Sequence, residues 1–355
     1  MQTIALPTST KHAPWLSSPA WDSIWILAPA FISTFAVLLL QREIAGMQNI
    51  PLWAWVCFVL LIDVAHVYAT LFRTYLEPGA FARNRGLLLG IPAFAWVGGS
   101  LLYSLDELYF WRALAYLAVF HFVRQQFGFM VLYSRKEAAE QKYRWLDCAA
   151  IYAATIYPLS FWHTHERNFS WFVAGDFFSH VSPLLSEVGL FIYIAIMVAY
   201  AVKEVSLKLN NFNWPKNLLL IGTAVSWWVG IVTINSDMAF TITNVVSHGI
   251  PYMALIWLYH HKSGSRASGW QFFMGNVLVF FLFLALLAYI EEGLWDGLVW
   301  REHLAVFKIF SWLPHISDSA FLALLVPFLS LPQSVHYILD GFIWRVKERN
   351  NIWSA

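Results

Sequence analysis

The chain has 355 residues, of which 59% are hydrophobic and only 12% charged, and its net charge is +1. Soluble domains carry about 25% charged residues, so this is the composition of a membrane protein, and a balance this neutral argues against a nucleic-acid partner. Two cysteines, Cys57 and Cys148, supply neither a disulfide framework nor a zinc quartet.

The N-terminal stretch MQTIALPTSTKHAPWLSSPAW lacks the charged-then-apolar layout of a signal peptide, so residues 1–21 read as a retained cytoplasmic tail. Apolar windows near the length that crosses a bilayer, about 20 residues, then follow in turn. They predict helices over 22–41, 51–76, 86–105, 108–133, 145–162, 181–202, 217–235, 239–261, 270–290 and 320–343. The fold class expected is therefore all-α: a polytopic helical bundle of about ten transmembrane helices, forming a single domain over 22–343. Residues 344–355 read as a second cytoplasmic tail. The stretch 291–319 mixes tryptophans with charges and reads as an extracytoplasmic, partly interfacial segment.

Basic residues test the count. With the N-terminus inside, sixteen Lys and Arg fall in cytoplasmic segments and five (Arg42, Arg112, Arg167, Arg301, Lys308) on the other side. The positive-inside rule predicts such a bias, which losing or adding one span would scramble. Both termini are therefore expected in the cytoplasm, and a bacterial inner membrane is the expected location. Tryptophans such as Trp21, Trp53, Trp111, Trp162 and Trp270 lie near span ends, as interfacial anchors do.

Of 12 histidines, four lie well inside predicted spans: His66, His121, His248 and His336. They occupy the second, fourth, eighth and tenth spans, which all run outside to inside in this topology. Counting back from the first cytoplasmic basic residue places them roughly 10 to 21 Å from the inner face, at about 1.5 Å per residue. Each has polar company at helical spacing: Asp63 and Thr70 around His66, Arg124 and Gln125 after His121, Asn244 and Tyr252 around His248, Gln333 and Asp340 around His336.

Imidazole suits iron, copper and zinc, and a ligating histidine passes its second N–H to a carboxylate, carbonyl or water. The expectation is a shared metal site with the four histidines as ligands. Asp63, Gln125, Asn244, Gln333 and Asp340 would orient them. Arg124 would bind a polar group of the substrate, and Tyr252 would supply a proton. The competing reading treats intramembrane histidine as hydrogen-bond glue between helices.

Known histidine patterns were compared with these spacings. The His-x-x-x-His and His-x-x-His-His boxes of membrane desaturases are missing. Membrane cytochromes b carry two histidines on each of two helices, whereas here each helix brings one. The HGIPY stretch at 248–252 resembles the His-x-x-x-Tyr of haem–copper oxidases, without the paired-histidine helices those enzymes need. Membrane carotene dioxygenases are similar in general plan, but their Pro-His-Gly-Ala-Leu-Asp signature is absent. No family membership follows.

The function expected is that of an intramembrane histidine-ligated metalloenzyme, an O2-dependent oxidoreductase acting on a membrane lipid or other lipophilic molecule. Non-haem iron is the expected ion, with copper or haem as alternatives. The competing functions are a haem-binding redox or haem-handling protein, and a metal-ion or proton transporter using the same histidines.

Overall fold

The computed structural model describes residues 14–47, 49–135, 137, 143–206, 212–263 and 271–343, and every regular element among them is helical. The expected tails at 1–13 and 344–355 lie outside the described residues. Long helices occupy all ten predicted windows. They are α1 Pro19–Leu39, α2 Leu52–Arg73, α3 Arg85–Leu105, α4 Glu107–Ser134, α5 Arg144–Thr164, α6 Leu184–Ser206, α7 Trp214–Thr233, α8 Asp237–Ser263 and α9 Val277–Trp300. The tenth window is a bent pair, α10 Ser319–Leu329 and α11 Leu331–Ile343, with 43° between them.

Among these, seven helices are long and apolar enough to cross a membrane, and the bent pair makes an eighth if it counts as one span. The remaining two, α4 and α5, have the length but not the composition. Arg112, His121, Arg124, Gln125 and Gln126 lower the hydropathy of α4, and Arg144 and Asp147 that of α5.

Burial separates a rim from a centre. In α3 and α6 only 11% of the apolar window is buried, and side chains such as Phe94 and Phe191 point outward. Such surface suits hydrocarbon, since each backbone polar group is already bonded inside its own helix. In α8 the buried share is 83%, which makes it the axis of the bundle.

Several local features set the helices that carry the histidines. From Trp55 to Val64, α2 is wound as a π-helix, and it returns to α geometry at Ala65. That widening ends two residues before His66, and such departures inside a helix commonly mark functional positions. Gly249 lets α8 approach α2 closely. A Cβ there would lie 2.8 Å from Ile62 Cγ2 and 3.5 Å from His66 Cβ, so any larger residue would push His248 away from His66. At the far end of α2, Arg73 donates to the Ile343 carbonyl of α11 and lies 3.7 Å over the Tyr259 ring of α8. One guanidinium thus gathers three histidine-bearing helices.

The ninth helix differs from expectation. It begins at an Asn276 cap, whose side chain accepts from Leu278 N, and continues to Trp300. Glu291, Glu292 and Asp296 therefore belong to the helix, not to an interfacial segment starting at residue 291. The reason is local satisfaction: Glu291 is buried and accepts from Tyr68 O–H at 2.7 Å and Gln333 Nε2 at 2.5 Å. Beyond Trp300 the chain folds back over the bundle end. There Phe307 is fully buried against Trp55 and Tyr289.

Candidate metal centre

The four intramembrane histidines converge. One nitrogen from each of His66, His121, His248 and His336 lies within 4.8 Å of those of the other three. All four residues are about 1–2% exposed. Nε2 of His248 lies 3.1 Å from Nε2 of His121 and 3.2 Å from Nε2 of His66. His336 completes the ring, with its centroid 4.3 Å from that of His121 and 5.0 Å from that of His66.

Hydrogen bonds at Nδ1 fix which atoms of His66 and His336 face inward. His66 Nδ1–H donates to the Ile62 carbonyl at 3.2 Å. His121 Nδ1 faces the Asp340 carboxylate at 3.5 Å. For His336 a chain of hydroxyls decides. The Tyr252 hydroxyl donates to Asp340 Oδ1 at 2.6 Å, so its oxygen accepts from Thr70 O–H at 2.7 Å. Thr70 has then spent its proton, so it accepts from His336 Nδ1–H at 2.5 Å. His66 and His336 therefore carry their proton on Nδ1 and present Nε2 as a lone pair, and at His121 the facing Asp340 carboxylate favours the same tautomer.

His248 is held differently. Its ring stacks on Phe122 at 3.5 Å and 8°, and its Nδ1 has no hydrogen-bond partner. Its backbone carbonyl accepts from Gln125 Nε2 at 2.9 Å, which ties α4 to α8 at this level.

Buried basic nitrogens facing one another are unfavourable without a proton or cation among them. A single Nε2–H on His248 would satisfy one neighbour only. It would leave His336 Nε2, which is buried and has no partner, unsatisfied. An orphaned buried polar atom costs about 1–3 kcal/mol. A metal ion resolves all four at once. Metal–imidazole bonds of about 2.0–2.1 Å put adjacent ligand atoms about 3 Å apart and opposite ones about 4 Å apart. The 3.1 and 3.2 Å separations match adjacent ligands, and the widest, up to 4.8 Å, would close by under 1 Å around an ion, so the donor set suits a borderline transition-metal ion.

The remaining predicted residues divide. Asp340 and Tyr252 lie on the inner layer just described, together with Thr70. The Tyr252 hydroxyl is engaged with two protein partners, so it positions the ligands. Asp63 lies 3.8 Å from His66 Nδ1, on the opposite side of the histidines, while Gln333 serves Glu291 there. Asn244 donates to the Phe240 carbonyl and Thr243, leaving its Oδ1 buried and unpartnered.

Arg124 turns away from the cluster: it is exposed, donates to Tyr152 O–H at 2.8 Å and lies over Phe127. His163, in the last turn of α5, and His165, just beyond it, bond to the Tyr116 hydroxyl and the Phe161 carbonyl respectively, away from the cluster. Among the described residues, the four-histidine group is the one set of three or more candidate ligands that converges.

Sequence reasoning passed over four contributors. Thr70 was visible only as a neighbour of His66. Phe122, the Ile62 carbonyl and Glu291 gave no signal of their own. Compared with known proteins, the chain matches no family model, no curated protein and no solved structure.

Proposed function

We propose that this chain is a multi-pass membrane metalloenzyme, an O2-dependent oxidoreductase that acts on a lipophilic substrate drawn from the bilayer. The observation that carries the reading is the convergence of one nitrogen from each of four buried imidazoles, two of them hydrogen-bonded at Nδ1 to protein partners. Non-haem iron is the ion proposed, with copper the second fit. Bound there, it would supply dioxygen activation, and four imidazoles leave coordination positions open on an ion that takes six ligands.

The chain's own residues do the rest. Ile62 O and Thr70 accept the Nδ1 protons of His66 and His336, and the Asp340 carboxylate faces Nδ1 of His121. Such outer partners raise ligand basicity and fix ring orientation. The Phe122 face and the apolar side chains of α2 and α8 exclude water from the cluster. A haem is a poorer fit. The four nitrogens lie within 4.8 Å of one another, which leaves no room for a macrocycle among them. Partners that fix two tautomers and orient a third ring suit a resident ion better than one in transit.

Ten spans with both termini cytoplasmic, in a bacterial inner membrane, complete the proposal. Thr70, Tyr252 and Asp340 each follow their histidine by four residues, and they meet on one side of the cluster. Hence α2, α8 and α11 run in the same direction, as the ten-span count requires.

The test is elemental analysis of detergent-purified protein beside single histidine variants. The expected result is about one iron or copper per chain, falling at least tenfold in His66→Ala, His121→Ala and His336→Ala. His163→Ala and His165→Ala are expected to keep their metal. Equal metal content in all these variants would overturn the assignment.

A further inference from the structure

The outward face of α4 carries a cation in an apolar strip. Arg124 is exposed, whereas His121 and Val123 beside it are buried. Its Nη1 donates to the Tyr152 hydroxyl of α5 at 2.8 Å. The guanidinium also lies 4.6 Å over the Phe127 ring, which stacks on Tyr152 at 5.3 Å and 23°. These contacts fix the guanidinium at the seam between the two helices.

Arg144 Nη2 donates to the Ser134 carbonyl, so α4 and α5 run antiparallel with those ends together. One helical turn from the Arg124–Tyr152 pair, away from that end, stand Phe120 and Ile156, which are 56% and 50% exposed. One turn toward that end stand Gly128 and Cys148, and a Cβ on Gly128 would meet nothing within 4 Å. Exposed Trp145 follows, roughly 10 Å from Tyr152 along α5, in the place of an interfacial anchor.

The donors of the pair are mostly unspent. A guanidinium has five N–H groups, and Tyr152 is the one protein acceptor that Arg124 meets among the described residues. The Tyr152 hydroxyl accepts that bond, and its own proton has no protein acceptor there. Arginines at membrane depth normally turn to the bundle interior or a watery cavity and pair with an acid. Arg124 faces outward between apolar side chains, and no carboxylate of the described residues pairs with it. A charge held there by one neutral oxygen is costly, so its counter-charge comes from the bilayer. A carboxylate fits, because it is planar and accepts two parallel N–H bonds, or one N–H and the Tyr152 O–H. A phospholipid phosphate fits less well, since it stays outside the hydrocarbon, beyond the level of Trp145.

We infer that Arg124 and Tyr152 form a bilayer-facing site for a long-chain carboxylate. Its head lies on the guanidinium and the hydroxyl, and its chain runs over Phe120 and Ile156, away from Trp145. The site is separate from the histidine centre and needs no metal there.

The experiment uses the full chain in nanodiscs of zwitterionic lipid, titrated with decanoate and decanol, with affinities counted per mole fraction in the bilayer. Decanoate is expected to bind about tenfold or more tighter than decanol, the ratio that hydrogen bonds to a charged group sustain. Arg124→Gln should reduce that ratio to about twofold or less. Arg124→Lys, which keeps the charge and loses the fork, should fall between the two. A decanoate with a terminal diazirine gives a readout that needs no variant: in the wild-type protein its label should map at or beyond Phe120 and Ile156. Equal binding of acid and alcohol, a preference that survives Arg124→Gln, or label confined to the Trp145 end would overturn the site. Displacement of decanoate by an equal mole fraction of anionic phospholipid would assign the pair to a headgroup phosphate and overturn the carboxylate.

Discussion

Two buried polar clusters in this molecule make an instructive pair. The first is ionic, at the facing ends of α5, α6 and α7. Lys216 is fully buried and contacts Glu204 at 2.8 Å and Glu137 at 3.0 Å, while Lys203 pairs with Asp147 and with Glu204 at 2.8 Å. Asn217 and Tyr200 bind the same group. Its charges meet opposite charges, and of its carboxylate oxygens Asp147 Oδ2 is the one left without a hydrogen bond. The second is the histidine cluster, where like nitrogens face each other and the protein spends its donors on the outward atoms. A structural cluster closes on itself. A functional one is built to be completed by something else.

This contrast can be broken by mutation. The largest effect is expected at the ionic cluster: Lys216→Met removes the cation that Glu204 and Glu137 share, and breaking a buried ion pair costs about 3–5 kcal/mol. Denaturant unfolding in detergent should show that loss, with metal per folded chain unchanged. Loss of metal without loss of stability would erase the distinction drawn above.

Next come the residues behind the ligands. Asp340→Asn removes the negative charge facing His121 and Thr70→Val the acceptor at His336, and outer partners of this kind are worth about 10–100-fold in metal affinity. Competition with a chelator measures it, and wild-type affinity in both variants would remove the tautomer argument. A smaller change is expected from Tyr252→Phe, which breaks the hydroxyl chain yet leaves Thr70 and Asp340 in place. We expect about tenfold weaker metal binding there. The smallest belongs to Arg124→Lys, since Arg124 faces Tyr152 and not the histidines. Metal content should hold and stability shift by less than about 1 kcal/mol; a metal-free variant would mean that Arg124 acts on the centre.

Much of the centre was legible in the sequence because depth and helical spacing are both countable. His66, His121, His248 and His336 stood out as one imidazole per helix at similar depth, and Tyr252 and Asp340 as residues four positions on. What spacing left open was the exact face. Arg124 and Gln125 follow His121 by three and four residues, 100° apart around the helix, and the fold turns Gln125 to α8 and Arg124 outward. Asp63 was read as an orienting partner for His66, but the Ile62 carbonyl lies nearer to Nδ1. Glu291 and Glu292 looked like the end of a span because two adjacent acids normally are. Their burial depends on Tyr68 and Gln333, which lie far away in the chain and which no local pattern connects to them.

The central claim is that four imidazoles hold one ion. X-ray absorption at the metal edge of the purified, metal-loaded protein tests it most directly. The account predicts a first shell of nitrogen and oxygen at about 2.0–2.2 Å, with outer-shell scattering from about four imidazole rings. A sulfur shell, a porphyrin signature, or scattering from two imidazoles or fewer would contradict it.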